Sequence, residues 1–118
     1  MTDMPGDKRE GGGSSGLEAA VLASDLIAFQ PGAVVSRTLV KKPAGTVTVF
    51  AFGAGEGLSE HTAPFDALAF DLEGEADISI SGTPHRLRTG QLVRLPAGEP
   101  HAVKAITSFK MLLVMIKA

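Results

Sequence analysis

From residue 33 onward, short apolar and β-branched runs alternate with turns rich in glycine and proline. Runs of this length and composition, spaced about ten residues apart, are typical of β-strands. The pattern predicts strands at Ala33–Val40, Thr46–Phe52, Ala67–Leu72, Ala76–Ser81, His85–Arg88, Gln91–Leu95, His101–Ile106 and Phe109–Ile116. Short strands joined by tight turns indicate an antiparallel sandwich or barrel.

The strands differ in how many apolar faces they have. In Asp77–Ser81, isoleucines alternate with polar residues, which indicates one buried face. Phe109–Ile116 and Thr46–Phe52 are apolar on both faces. A strand that is apolar on both faces needs a cover on each side. In a chain this small we predict that a second copy supplies one cover, so we expect a homodimer.

The N-terminal part of the chain has a different composition. Residues 1–16 are polar and rich in glycine, and we predict a flexible tail because they have little apolar surface to bury. Residues 17–118 form a single predicted domain. Within it, Leu17–Phe29 has apolar residues at helical spacing and is predicted as a short helix, closed by Pro31 and Gly32.

Composition excludes several classes of protein. The chain has 118 residues and no cysteine, which excludes disulfides, a thiolate nucleophile and cysteine-based zinc sites. Its net charge is −2, and it has no tyrosine or tryptophan, so we predict no nucleic-acid partner. No apolar run approaches the roughly 20 residues that span a bilayer, and the first residues do not resemble a signal peptide. We therefore predict a cytoplasmic protein without a membrane partner.

Glycine, proline and histidine stand at a distinctive spacing near the C-terminus, as Gly90, Pro96, Gly98 and His101. The spacing resembles the second signature of the cupin superfamily, G-x(5)-P-x-G-x(2)-H-x(3)-N, with Ala105 in place of the final asparagine. Glycine permits a turn conformation that a Cβ would penalise, and proline ends a strand.

An earlier stretch resembles the first cupin signature, G-x(5)-H-x-H-x(3,4)-E-x(6)-G. Gly55, His61 and Gly74 occupy its fixed positions. Ala63 stands where the second histidine is expected, and Ala67 stands where the glutamate is expected. The stretch therefore keeps one of the three metal-ligand positions of this signature.

Together the resemblance covers residues 26–117 and includes small single-domain bacterial cupins of unassigned activity. It implies an all-β fold, the cupin double-stranded β-helix, which is a jelly-roll-like antiparallel barrel, here with a short N-terminal helix. It also implies that His61 and His101 meet in the barrel mouth. A fold of this kind carries many functions, so the resemblance is specific for the fold alone.

Complete cupin metal sites have three histidines and one glutamate, a set that suits Zn, Fe, Mn or Ni. The resemblance leaves His61 and His101 as ligands here, and two imidazoles alone hold a metal weakly. Asp66 lies one residue from the expected glutamate, and it becomes the predicted third ligand if its strand carries a bulge. The alternative is that the two histidines line a polar pocket without metal. Phe65, beside Pro64, is predicted at the rim of the ligand pocket.

Three functions are compatible with these residues. The leading interpretation is a small cupin that binds a small molecule, with a weak or degenerate divalent-metal site. The second is a metal-dependent oxygenase or isomerase acting on a small organic acid or sugar. The third is a structural or regulatory barrel without metal. The sequence has no other catalytic motif, so it assigns no catalytic residue and leaves open whether the protein is an enzyme.

Overall fold

A computed structural model describes residue 17 and residues 19–117, and the predicted tail at residues 1–16 lies outside the described residues. The described part forms nine strands, all paired antiparallel, which confirms the predicted all-β fold. They are β1 (Val34–Lys42), β2 (Gly45–Phe52), β3 (Gly57–His61), β4 (Asp66–Glu73), β5 (Ala76–Ile80), β6 (Thr83–Leu87), β7 (Leu92–Leu95), β8 (His101–Ala105) and β9 (Phe109–Ile116).

The strands form two sheets that share one core. One sheet has the order β1-β2-β9-β4-β7 and the other has the order β3-β8-β5-β6. Phe52, Ala69 and Phe109 of the first sheet lie in the same buried cluster as Ile78 and Ala105 of the second. The inward faces of both sheets therefore pack together, as in a sandwich or jelly roll.

Strand β3 was not among the strands predicted from the sequence. Its residues Gly57–His61 are mostly exposed, and only Leu58 packs against the core. β3 pairs with β8 at the edge of the four-stranded sheet, with a shift of register between Leu58 and His61. An edge strand with little buried surface has no apolar alternation to detect, so the hydrophobic pattern did not predict β3.

The helix predicted over Leu17–Phe29 is reduced to a four-residue 3-10 turn at Ala23–Leu26. Leu22 precedes the turn and offers no side-chain cap. The carbonyl oxygen of Ser24 accepts a hydrogen bond from Lys110, so a tertiary contact uses a group that a helix over Leu17–Phe29 would bond internally. In the part of the chain that the structure describes, no helix is long and apolar enough to cross a membrane.

Candidate histidine site

The structure brings His61 and His101 together although 40 positions separate them in sequence. His61 ends β3, His101 begins β8, and the two residues face each other as a cross-strand pair. Their Nε2 atoms lie 3.1 Å apart, and the ring centroids lie 4.4 Å apart at an interplanar angle of 71°. We call this end of the barrel the histidine end.

Backbone carbonyls fix the orientation of both rings. The Nδ1 atom of His61 lies 2.9 Å from the carbonyl oxygen of Ser59, and Nδ1 of His101 lies 3.3 Å from that of Glu99. A carbonyl oxygen only accepts, so each Nδ1 carries the proton, and in neutral rings both Nε2 atoms are then acceptors. Two acceptors facing at this distance require a proton, a cation or a ligand donor between them.

The two histidines differ in burial. His61 is exposed, whereas His101 is only 8% exposed. Burial lowers the pKa of His101, the nearby charge of His61 lowers it further, and the contact with the Glu99 carbonyl opposes both effects. A buried imidazole is costly to charge, so the neutral form of His101 is favoured and its Nε2 lone pair is available.

The neighbours of the pair explain how it is held. Ile80 of β5 pairs with His101 on the side away from His61, and it packs against the core. In the loop before His101, the backbone N–H of Gly98 donates to the carbonyl of Ala63 at 2.8 Å. This contact ties the β7–β8 loop to the β3–β4 loop and fixes where β8 begins.

The other two predicted site residues have their own contacts. Asp66 Oδ1 accepts a hydrogen bond from the backbone N–H of Ala97 at 2.8 Å. The ring of half-buried Phe65 lies 5.8 Å from Nζ of Lys117. Within the described residues, no three histidine or carboxylate side chains are grouped so as to hold a metal ion. The metal role of Asp66 and the pocket role of Phe65 stay predictions.

One buried acid was not identified from the sequence. Asp71 of β4 is completely buried, and within the described residues neither carboxylate oxygen has a hydrogen-bond partner. Burial raises the pKa of Asp71 to about 7; the nearby backbone amide of Glu73 opposes this shift, and the charge of Glu75 adds to it. Asp71 lies two residues after Ala69 and four after Ala67, so it shares their inward-facing side of the strand. This spacing was the sign in the sequence that Asp71 would be buried.

Comparison with known proteins decides the family. The family model described as "Cupin domain" matches residues 48–117, which is more than half of the chain. This protein is a cupin. His61 and His101 both lie within the matched residues.

Solved structures agree with this assignment. The cupin is 34% identical to a conserved protein of unknown function from Streptococcus pyogenes, with a TM-score of 0.82 over 86% of this chain and 89% of that one. It is 40% identical to a cupin 2 conserved barrel domain protein from Leptotrichia buccalis, with a TM-score of 0.77 over 80% of this chain and 46% of that one. A mutant salicylate 1,2-dioxygenase from Pseudoaminobacter salicylatoxidans is 16% identical, with a TM-score of 0.67 over 70% of this chain and 26% of that one, and it shares the fold alone. Comparison with curated proteins gives no significant match.

The donor set of this cupin fits a metal ion only in part. Two imidazole nitrogens on one ion, with bonds of about 2.0–2.1 Å, lie roughly 2.9–3.4 Å apart for angles between 90° and tetrahedral. The observed 3.1 Å is within that range. The inward position expected to carry glutamate is the buried Ala67, which has no donor atom. The pair therefore fits a two-ligand site for an imidazole-preferring ion such as Zn or Ni, and it lacks the carboxylate that Mn prefers.

Proposed function

We propose that this cupin binds a small molecule at the histidine end of its barrel, through the Nε2 atoms of His61 and His101. The observation that supports the proposal is their separation of 3.1 Å with both Nδ1 atoms held against backbone carbonyls. The arrangement leaves two acceptor nitrogens 3.1 Å apart, and such a pair attracts a ligand donor or a divalent metal ion.

The protein's own residues orient and restrict this site. The carbonyls of Ser59 and Glu99 fix the rings before any ligand arrives, which reduces the entropy lost on binding. Burial keeps His101 neutral, and Ile80 beside it adds an apolar wall. A divalent ion held by the pair would supply a Lewis acid that polarises an oxygen of the ligand. The ligand class favoured by these groups is a small molecule with oxygen donors and an apolar portion.

The donor set favours binding over oxygenase chemistry. A non-haem iron oxygenase holds its metal with two histidines and a carboxylate. Here Ala67 occupies the position of the carboxylate, and Asp66 is engaged with the backbone of Ala97. Two imidazoles hold a metal too loosely for the tight retention that repeated turnover with dioxygen requires.

Metal titration of untagged, chelator-treated protein tests the proposal. We expect calorimetry with Zn²⁺ and Ni²⁺ to give one weak site per chain, and we expect His61→Ala and His101→Ala each to abolish it. His85→Ala is the matched control, because His85 is exposed on β6 and one strand lies between β6 and the β8 strand of His101. This variant should bind like the wild type.

A second measurement separates the ligand site from its metal. A library of small carboxylates and hydroxy acids is screened by thermal shift, with and without Zn²⁺, against wild type and the double variant His61→Ala/His101→Ala. Stabilisation of the wild type alone supports the proposal, and stabilisation without added metal supports the polar-pocket version. Equal stabilisation of the wild type and the double variant would place the ligand elsewhere. Substrate-dependent oxygen uptake with Fe²⁺ would support the oxygenase instead.

A further inference from the structure

One serine holds an unfavourable backbone conformation next to the histidine end. The turn between β5 and β6 has two central residues, Ser81 and Gly82, with φ of +50° and +84°. Two-residue hairpin turns with positive φ at both positions favour asparagine, aspartate or glycine at the first position. Within the described residues, Ser81 is the only residue other than glycine that has a positive φ. A conformation that a side chain disfavours persists where the surrounding contacts require it.

The contacts of Ser81 lie in the loop that leads to His101. The backbone N–H of Ser81 donates to the carbonyl oxygen of Pro100 at 2.8 Å. The Oγ of Ser81 donates to Oε1 of Glu99 at 2.5 Å, within the range of a hydroxyl bonded to a carboxylate. One turn residue therefore bonds both of the residues that stand immediately before His101.

Glu99 connects this contact to the histidine ring. Its side chain accepts the hydrogen bond from Ser81, and its backbone carbonyl oxygen lies 3.3 Å from Nδ1 of His101. That distance is longer than the 2.9–3.0 Å typical of an N–H···O hydrogen bond, so a small rotation of the Glu99 peptide is enough to break the contact. The position of Glu99 therefore affects which nitrogen of His101 carries the proton.

The loop before His101 is held from two directions. The bond from the Gly98 N–H to the Ala63 carbonyl attaches it to the β3–β4 loop, on the side of His61. The bonds from Ser81 attach it to the β5–β6 turn, on the opposite side of β8. The first contact orients Gly98, whereas the second orients the peptide of Glu99 that faces the imidazole.

Strand register explains why this turn reaches the loop. Ile80, the last residue of β5, is the cross-strand partner of His101. Ser81 therefore lies beside Pro100, one residue beyond that pair, and its backbone bond extends the pairing of β5 with β8. Any residue at this position could form the backbone bond. The bond to the Glu99 carboxylate requires the hydroxyl, so it is the specific contribution of the serine.

We propose that Ser81 and Glu99 are positioning residues for His101. The hydrogen bond between their side chains holds the Glu99 carbonyl against Nδ1 of His101, which keeps the proton on Nδ1 and leaves Nε2 able to accept. The inference rests on the proposed function, because that function gives Nε2 of His101 a ligand. Glycine would suit the turn better than serine, and serine adds the bond that orients the ring.

The variant Ser81→Gly separates this role from a structural one. Glycine adopts a positive φ freely, so the variant should unfold at a temperature equal to or above that of the wild type. It should nevertheless bind Zn²⁺ about tenfold more weakly in calorimetry, as expected when a group that orients a metal-binding histidine is lost. Ser79→Ala is the matched control and should bind like the wild type, because Ser79 lies on the same strand but on its outer face. Loss of stability together with affinity would assign Ser81 a structural role instead.

Variants of Glu99 distinguish orientation from charge. Glutamine keeps an oxygen that accepts from the Ser81 hydroxyl, whereas alanine does not. We expect Glu99→Gln to keep the wild-type affinity for Zn²⁺ and Glu99→Ala to lose as much as Ser81→Gly. The double variant Ser81→Gly/Glu99→Ala should lose no more than either single variant, because the two residues act through one bond. Equal weakening by glutamine and alanine would mean that the carboxylate charge attracts the ion, and it would overturn the proposal.

NMR of the metal-free protein examines the His101 ring without any ligand. At mildly alkaline pH, the chemical shifts of the imidazole nitrogens distinguish a proton on Nδ1 from a proton on Nε2. We expect the Nδ1–H form of His101 in the wild type and in Glu99→Gln, and exchange between the two forms in Ser81→Gly. If this change occurs in a protein that binds no Zn²⁺, the metal site fails and the positioning of His101 stands. An unchanged Nδ1–H form in Ser81→Gly would overturn the positioning role.

Discussion

Each end of the barrel interior holds inward-facing ionisable groups, and the two ends differ in the hydrogen bonding and solvent exposure of these groups. At the histidine end, each imidazole has its Nδ1 against a backbone carbonyl and its Nε2 facing the other ring, and His61 is exposed to solvent. Towards the other end, Asp71 is completely buried, and neither carboxylate oxygen has a partner among the described residues. We call the latter the Asp71 end.

Because of this difference, we expect one end of the barrel to affect ligand binding and the other to affect the stability of the fold. A polar group that is oriented by the backbone and accessible to solvent can meet a ligand without reorganising the protein. A polar group that is buried and unpartnered raises the free energy of the folded state whenever it ionises. The ligand chemistry proposed above therefore suits the histidine end, and we expect pH-dependent stability to originate at the Asp71 end.

The largest predicted effect concerns Asp71 and pH. Its pKa is about 7 in the folded chain against the ordinary 3.8, so between these values the folded state binds the proton and the unfolded state does not. Stability is therefore fully present below about pH 4, falls as pH rises, and levels off above 7. The total loss is about 4 kcal/mol, at roughly 1.4 kcal/mol for each pKa unit. Asp71→Asn should remove this slope and be the more stable protein at pH 8.

Urea unfolding at several pH values between 4.5 and 8 measures this effect. Asp77→Asn is the control, because Asp77 lies on the outside of the four-stranded sheet and pairs with Arg86. The hydrogen bond from Arg86 lowers the pKa of Asp77, so this variant should keep the slope due to Asp71. Parallel stability curves for wild type and Asp71→Asn would show that Asp71 does not titrate in this range.

A smaller effect compares a turn at each end. Gly74, at the Asp71 end, has φ of +83°, and a Cβ there would overlap the carbonyl oxygen of Ser108. Gly98, at the histidine end, has φ of +79°, but a Cβ there would meet nothing within 4 Å. The left-handed conformation costs alanine about 1–2 kcal/mol at either position. We expect Gly98→Ala to lose about that amount and Gly74→Ala to lose about 3 kcal/mol or more, because backbone must also move.

Thermal or urea unfolding of the two alanine variants gives this comparison directly. The variants share the same change and nearly the same φ, so the difference between them reports the tightness of packing around each turn. Equal losses of stability would mean that the two ends are packed alike, and the contrast drawn between them would be wrong.

The sequence predicted what depends on local signals. Gly90, Pro96, Gly98 and His101 stand at a fixed spacing, so the β7–β8 loop and its histidine were found from the chain alone. The prediction of a helix over Leu17–Phe29 was wrong. One of the carbonyl oxygens that the helix would use, that of Ser24, accepts a hydrogen bond from Lys110, which lies far along the chain. A contact between such distant positions leaves no periodic pattern near the helix itself.

The candidate site was predictable only where local sequence motifs specify it. The motifs indicated that His61 and His101 converge, but their contact depends on β3, an exposed edge strand with a register shift that periodicity did not detect. Asp71 was missed because a single carboxylate in an apolar strand is ordinarily placed on the outside. Asp71 lies inside because it is an even number of residues from Ala67 and Ala69 and therefore shares their face of the strand. Which face is the inner one follows only from the register of β4.

The smallest predicted effect concerns the coupling between the two histidines. Burial and the charge of His61 both lower the pKa of His101. His61→Ala removes the charge and exposes the ring of His101 to water, so both causes weaken and the pKa of His101 should rise. Histidine proton resonances, followed by NMR between pH 4 and 8 in metal-free protein, measure the shift. His85→Ala assigns the third histidine and should leave the His101 titration unchanged. An unchanged or lower pKa of His101 in His61→Ala would mean that the rings do not interact in solution as their 3.1 Å contact requires, and the site proposed at this end would lose its main support.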